Sequence, residues 1–286
     1  LIGPPGLGKT LLARSLAQLL PPLTEAEFLE VNRLYSLAGL QEGNLIQERP
    51  FRAPAGQISL TALLGDARRL LPGELSLAHH GVLFLDELAN QSQQKLLALR
   101  QPLDQRQVAL QQAGQLFLFP AAFTLLAASN PCPCGYVASA RPCRCSLGQL
   151  RAYRQRLAGP LLDRFDLLLR VNWEKELTKN KKVTMPSLAE LRQQVTQAKE
   201  RQRRRLQQAG LALDTNLEQR PDLVKQLCPL TPAAQQALEK AAIALSLSLR
   251  AYFKIIRLAQ SIADLDQLKI IDQAQVIEAL SFRQSW

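Results

Sequence analysis

The chain has 286 residues, 47% of them hydrophobic, enough to bury the core of one large domain or two smaller ones. It has no run of about eighteen apolar residues that could span a membrane, and it lacks the basic-then-apolar start of a secretory signal, so a cytoplasmic protein is expected. A net charge of +11 favours an anionic partner such as nucleic acid.

Residue 1 is Leu rather than Met, and a glycine-rich pattern begins at Gly3. Such loops follow a buried strand, of which Leu1 and Ile2 would be the remnant, so the expectation is a fragment lacking an upstream part. The run Gly3, Pro4, Pro5, Gly6, Leu7, Gly8, Lys9, Thr10 fits G-x-x-x-x-G-K-[ST]. Glycines let backbone N–H groups close around phosphate oxygens, and the helix that follows points its positive end at the same oxygens. Lys9 is expected on the β- and γ-phosphates, with the Thr10 hydroxyl on Mg²⁺. That helix is predicted over Thr10–Leu20, ending at Pro21-Pro22.

Gly81–Asp86 is a short apolar run ending in acid, which predicts a buried parallel strand. It delivers Asp86, suited to holding Mg²⁺ through water, and Glu87, suited to polarising an attacking water. Phe123–Ser129 and Leu167–Val171 predict two further strands. Strands alternating with helices indicate an α/β fold with a parallel sheet flanked by helices.

Four of the five cysteines lie close together, as Cys132-Pro-Cys134 and Cys143-Arg-Cys145, in a Cys-rich insert over 131–146. With no export signal, metal binding is expected ahead of disulfides. Four thiolates suit tetrahedral structural Zn²⁺, although common zinc sites use C-x2-C pairs; a proline-rich loop of reduced thiols is the alternative. Cys228, among apolar residues, reads as a buried thiol. His79 and His80 read as packing or capping residues. Met185, Trp173 and Trp286 offer no functional reading.

From Trp173 the character changes. Residues 174–186 read as a charged linker, and Ser187 to about Ala209 as a polar helix opened by a Ser187/Glu190 capping box. From Glu174 to Ala212 ten Lys or Arg face four Glu, and Lys199–Arg205 is the candidate phosphate-contacting stretch. From about Leu213 the chain is helical, with starts at Thr231-Pro232, Ser248 and Asp272. Tyr252, Phe253, Ile255, Ile256, Ala259 and Ile262 form one core face. The predicted plan is an α/β core over 1–173, a basic linker and helix over 174–212, and a small all-helical lid domain over 213–286.

The blocks Gly3–Thr10, Arg49-Pro-Phe-Arg-Ala-Pro54, Pro72–Leu88, Asn130-Pro-Cys-Pro-Cys-Gly-Tyr136, Gly159–Asp166 and Ser248-Leu-Arg-Ala-Tyr252 resemble those of the magnesium-chelatase-like AAA+ ATPases, within them the ComM/YifB family. The resemblance implies a P-loop AAA+ ATPase that hydrolyses ATP. It makes Asn130 the sensor beside the γ-phosphate and Arg164 an arginine finger reaching a neighbouring subunit's ATP. Pairing of Arg164 with Asp163 or Asp166 is the alternative. Arg250 resembles a second sensor acting across a subunit boundary. A homo-oligomer, namely a hexameric ring, is implied, as are DNA as partner (single-stranded or branched) and branch migration during recombination of incoming DNA. The family carries a further domain before the ATPase, and a channel-facing hairpin that Arg106–Phe119 would match.

The chain departs from the family's pattern at Ala55-Gly56, where two histidines are usual, and at Gln111-Gln112, where the hairpin usually has Ser-Arg. The second departure weakens the expectation of DNA gripping more than that of hydrolysis. Two other functions stay open: the ATPase subunit of a magnesium chelatase, which shares the motor, and a non-catalytic or chaperone-like scaffold that binds nucleotide without translocating.

Overall fold

The computed structural model describes residues 1–283 apart from 42, 57, 138, 140, 158–163, 172–185, 213–214 and 218–219. Most of the linker expected over 174–186, with Trp173, Met185, Trp286 and Asp163, lies outside the described residues. Two compact units are present: Leu1–Arg164 with Arg170–Lys182, and Phe165–Leu169 with Val183–Trp286.

The first unit is α/β. Helix α1 (Lys9–Ala17) starts directly from the glycine loop, and α2 (Glu25–Leu37) is fixed by a reciprocal capping box between Thr24 and Glu27. The short strand β1 (Phe51–Arg52) joins the main sheet. A small antiparallel pair, β2 (Gly65–Asp66) with β3 (Leu71–Pro72), is flanked by α3 (Leu60–Leu64) and α4 (Glu74–Leu77). Then come β4 (Val82–Leu85), α5 (Gln93–Ala98) and α6 (Arg100–Gln105). The hairpin β5 (Gln107–Gln112) and β6 (Gln115–Pro120) leads to β7 (Thr124–Ala127) and α7 (Leu147–Leu157).

The main sheet is parallel, in the order β1-β4-β7, with Val82 opposite Thr124 and Leu85 opposite Ala127. Ile2 extends it by parallel bridges to Ser129 on one side and Arg170 on the other. All four β4 residues are buried, as expected of a strand covered on both faces. Ala13 of α1 packs on Phe84 and Ala128, so the glycine loop, the end of β4 and the end of β7 lie along one sheet edge.

The strand expected over Leu167–Val171 is present only as the single bridge at Arg170. The cause is a change of unit inside it: Leu168 N–H donates to Phe282 O in the helical unit (3.0 Å), while Val171 N–H donates to Ile2 O in the sheet (2.7 Å). A hairpin stands where the resemblance implied one. Ala113 (φ 47°) and Gly114 (φ 79°) form a two-residue turn of the primed kind that matches strand twist.

The second unit contains α8 (Leu188–Gln208), α9 (Pro221–Leu227), α10 (Pro232–Ala244), α11 (Leu249–Leu265) and α12 (Gln273–Ser281). Ser187 and Glu190 form the capping box, while Thr231 and Ser248 cap α10 and α11 through their hydroxyls. Phe253, Ile255, Ile256, Ala259 and Ile262 are buried against α9, α10 and α12, with Tyr252 partly buried at the margin. Among the described residues no helix is long and apolar enough to cross a membrane.

Helix α8 is anchored by a buried charge that its sequence did not announce. Asp264 is fully buried and takes both terminal nitrogens of Arg205, while Arg201 donates to the Asp264 carbonyl (2.9 Å) and Gln260 to its carboxylate (3.3 Å). Arg205 is therefore a structural residue and not a solvated one. Replacing Asp264 by Ala leaves the guanidinium without its counter-charge, an expected loss of about 3–5 kcal/mol. Urea unfolding of Asp264→Ala against the unsubstituted chain measures it.

Candidate functional site

The site is built where α1, β4 and β7 end together. Gly8 caps α1 with a left-handed backbone (φ 70°, ψ 24°) that a side chain disfavours. The helix takes no side-chain cap from Gly8 and carries no acid in its first turn, so neither competes with an anion for its positive end. Lys9 folds back over the loop, donating to Gly3 O (2.8 Å), Pro4 O (2.9 Å) and Asn130 Oδ1 (3.2 Å). Burial pulls its pKa below the usual lysine value, opposed by the charges of Asp86 and Glu87.

Thr10 Oγ1 donates to Asp86 Oδ2 (3.0 Å), which places the two residues expected on Mg²⁺ in direct contact. Hard oxygen donors of this kind suit a small divalent cation that keeps most of its waters. Asp86 Oδ1 accepts the Glu87 N–H (2.8 Å). Glu87 is exposed and held at φ 48°, ψ 46°, a sparsely populated conformation for a residue with a side chain. Its Oε2 accepts from Asn90 Nδ2 (3.1 Å). Lys9, Thr10, Asp86 and Asn130 are thus brought together, with Glu87 beside them.

Arg164 is paired within its own unit. Its guanidinium binds the Asp104 carboxylate through two nitrogens, Nε at 3.2 Å from Oδ1 and Nη2 on Oδ2. That partner lies sixty residues away in sequence; of the two acids expected as alternatives, Asp163 lies outside the described residues. In the other unit, Arg250 is the second residue of α11 and exposed, and Asp166 faces Lys254 (3.5 Å) and Arg257 (3.9 Å).

The cysteines converge. Sγ–Sγ distances are 3.4 Å for Cys132–Cys134, 3.5 Å for Cys134–Cys143 and 3.8 Å for Cys132–Cys143, and all four sulfurs lie within 4.8 Å of one another. Zinc bonds of about 2.3 Å in a tetrahedron would set sulfurs ~3.8 Å apart, so the donor set fits the ion. A disulfide needs about 2.05 Å, and all five cysteines are free. N–H groups of Tyr136 and Arg144 hold the Cys134 thiol down to about 6. Cys228 is buried as expected, and burial pushes its thiol up to about 11.

Glu30, His79 and His80 also gather, with His79 Nε2 and His80 Nε2 at 2.9 and 2.7 Å from Glu30 Oε2. The Ala122 N–H donates to His79 Nδ1 (2.9 Å), so the imidazole proton sits on Nε2, toward Glu30. His79 Nε2 then has no free lone pair for a metal, and His79 instead pins α2 to the segment before β4. Arg49 joins the same network through Glu27 (2.8 Å) and His80 O (2.6 Å), and Arg52 binds Glu74 bidentately at 2.6 Å. Two residues at the site had no signal in the sequence: Asp104, and Tyr153, whose hydroxyl donates to Asn130 O (3.0 Å).

Comparison with known proteins agrees with this geometry. The family described as "Magnesium chelatase, subunit ChlI" matches residues 1–179, and its C-terminal counterpart matches 186–283. The chain is 40% identical over 285 residues to the uncharacterized protein YifB of Escherichia coli K12, covering 99% of this chain and 55% of that one. It is 39% identical over 285 residues to the competence protein ComM of Haemophilus influenzae, covering 99% and 54% respectively. The chain therefore spans about half the length of the curated relatives it matches. With both family models matched in tandem and a glycine loop, acidic strand end and asparagine sharing one sheet edge, the chain belongs to the magnesium-chelatase ChlI family of AAA+ proteins.

Proposed function

We propose that the chain is the ATP-hydrolysing module of a ring-forming motor that acts on DNA. The observation that carries hydrolysis is the convergence of Thr10 on Asp86 and of Lys9 on Asn130. The Gly3–Thr10 loop holds the phosphates through its N–H groups, and Lys9 exchanges its loop carbonyls for the β- and γ-phosphate oxygens. Thr10 and Asp86 hold Mg²⁺, which neutralises phosphate charge when bound. Glu87 orients the attacking water and takes its proton, while Asn130 fixes the γ-phosphate side. Arg164 leaves Asp104 to reach the ATP of the next subunit, and Arg250 acts across the same kind of boundary. A finger in trans requires a closed head-to-tail ring, for which we propose a hexamer in the cytoplasm. Residues 1–173 serve as the ATPase core, 174–212 as a basic linker and helix, and 213–286 as the lid. Cys132, Cys134, Cys143 and Cys145 hold structural Zn²⁺.

The DNA part, branch migration in recombination of incoming DNA, rests on the competence-protein relative and the net charge of +11. A second reading, the ATPase subunit of a magnesium chelatase, is favoured by the family description. The Pro-Cys-Pro-Cys block and the basic balance favour DNA over it. A nucleotide-binding scaffold needs neither Glu87 nor Arg164.

ATP turnover with and without branched DNA tests the proposal: stimulation by DNA supports the motor, and indifference moves the chelatase and scaffold readings ahead. DNA affinity should fall steeply with salt, by ~0.7–0.9 in log–log slope per phosphate contact. Arg205 is committed to Asp264, so in α8 Arg203 and Arg204 remain as candidates. Arg203→Gln/Arg204→Gln should flatten that slope, and an unchanged slope removes α8 from the DNA path.

A further inference from the structure

The cysteine cluster touches the phosphate loop. Gly135 follows Cys134, has φ 85°, and donates its N–H to Cys132 O (2.9 Å). A Cβ built on it falls 2.7 Å from Pro5 Cδ and 3.2 Å from Pro5 Cγ, with Asn130 Cγ next at 3.8 Å. Pro5 Cδ is bonded to the backbone nitrogen and cannot swing aside. The knuckle therefore abuts the loop with bare backbone, at a spot and in a conformation open to glycine alone.

The same segment forms a closed circuit around Asn130. The chain leaves Asn130, whose Oδ1 receives Lys9, and reaches Cys132 two residues later. At the far end Cys145 precedes Ser146, whose hydroxyl accepts the Gln149 N–H (3.2 Å) and whose N–H donates to Gln149 Oε1 (2.9 Å), setting the start of α7. Helix α7 then returns Tyr153 to the Asn130 carbonyl (3.0 Å), with Ser129 Oγ 3.2 Å away. A metal ion held by the four sulfurs would tie the outgoing limb to the returning one. Without that tie, the stretch between Asn130 and Ser146 regains the freedom of an open loop, and both Gly135 and Asn130 lose their support.

We propose that metal occupancy of the Cys132, Cys134, Cys143 and Cys145 cluster sets the affinity of the phosphate loop for nucleotide, with Gly135 and Tyr153 as positioning residues acting through Pro5 and Asn130. The proposal rests on reading the four thiolates as a metal site. Linkage makes the effect reciprocal: nucleotide tightens the metal by the factor by which metal tightens nucleotide.

The test loads the full chain with Co²⁺, whose absorption reports tetrahedral thiolate ligation, and titrates a fluorescent ATP analogue before and after stripping by chelator. The loaded form is expected to bind the analogue roughly 5–150-fold more tightly, and the analogue to protect the metal from a chromophoric chelator by the same factor. Gly135→Ala should weaken analogue binding about as much as stripping does while keeping the Co²⁺ spectrum, and its remaining affinity should no longer respond to metal. Tyr153→Phe should reduce the coupling without changing the spectrum. A normal thiolate spectrum with equal analogue affinity in loaded and stripped protein overturns the coupling and leaves the metal site standing. No thiolate spectrum overturns the metal reading, and the coupling with it.

Discussion

Arg164→Ala is expected to lower ATP turnover by roughly 10³–10⁵, the range an arginine supplied to a transferring phosphoryl group commands. The competing account is that Arg164 is a structural partner of Asp104, whose side chain is 32% exposed. The Arg164 side chain itself is only 14% exposed, so under that account the variant keeps the turnover of its folded fraction and the loss appears in stability instead. Subunit mixing separates trans action from cis action. A subunit carrying Arg164→Ala has an intact phosphate site, and one carrying Glu87→Gln has an intact finger. If the finger works in trans, mixing two nearly inactive proteins creates boundaries that pair the intact site with the intact finger, and turnover reappears. A finger working in cis gives no recovery at any ratio. Asp104→Asn supplies the third comparison, because it releases Arg164 without removing it and should leave turnover close to the unsubstituted rate.

The nucleotide side of the site was legible in the sequence because its chemistry is local. A glycine loop needs its lysine and hydroxyl at fixed offsets along one turn, and an apolar run ending in Asp86-Glu87 advertises a buried strand with acids at its tip. Asn130 became readable through family resemblance, and the fold then placed it against Lys9. Long-range partnerships were not legible. Nothing near Arg164 pointed to Asp104, and nothing in α8 distinguished Arg205, which ends on a buried carboxylate, from the exposed Arg204 one residue earlier. Charge counting treats all such arginines alike, whereas burial of Asp264 decides which is structural. Leu167–Val171 misled for a related reason. Its apolar pattern is that of a strand, but backbone pairing divides it between two units, and periodicity carries no information about where a chain changes partners. The cysteine spacing departs from the wider pairs of familiar zinc sites; the folded knuckle nonetheless brings three sulfurs to 3.4–3.8 Å of one another and the fourth within 4.8 Å, an arrangement compatible with zinc.

Glu87→Gln is expected to lower turnover by about 10²–10⁴ while leaving Mg²⁺-dependent nucleotide binding intact. The two neighbouring acids are held differently, and this separates their roles. Asp86 is engaged at both oxygens, by Thr10 and by the Glu87 N–H, which suits a residue that must stay in place to hold a cation. Glu87 projects from a left-handed backbone into solvent with its carboxylate accepting from Asn90, which suits a residue that must meet a water and accept its proton. Gln keeps the shape and can still accept from Asn90, so it removes proton acceptance with little else. Asp86→Asn should show the complementary defect: nucleotide binding that no longer strengthens when Mg²⁺ is added, measured with the same fluorescent analogue. If Glu87→Gln instead weakens nucleotide binding and spares the turnover of what is bound, the two acids have exchanged roles. The strain stored at φ 48° would then serve the cation site, and the proton acceptor would have to be sought outside the β4 terminus.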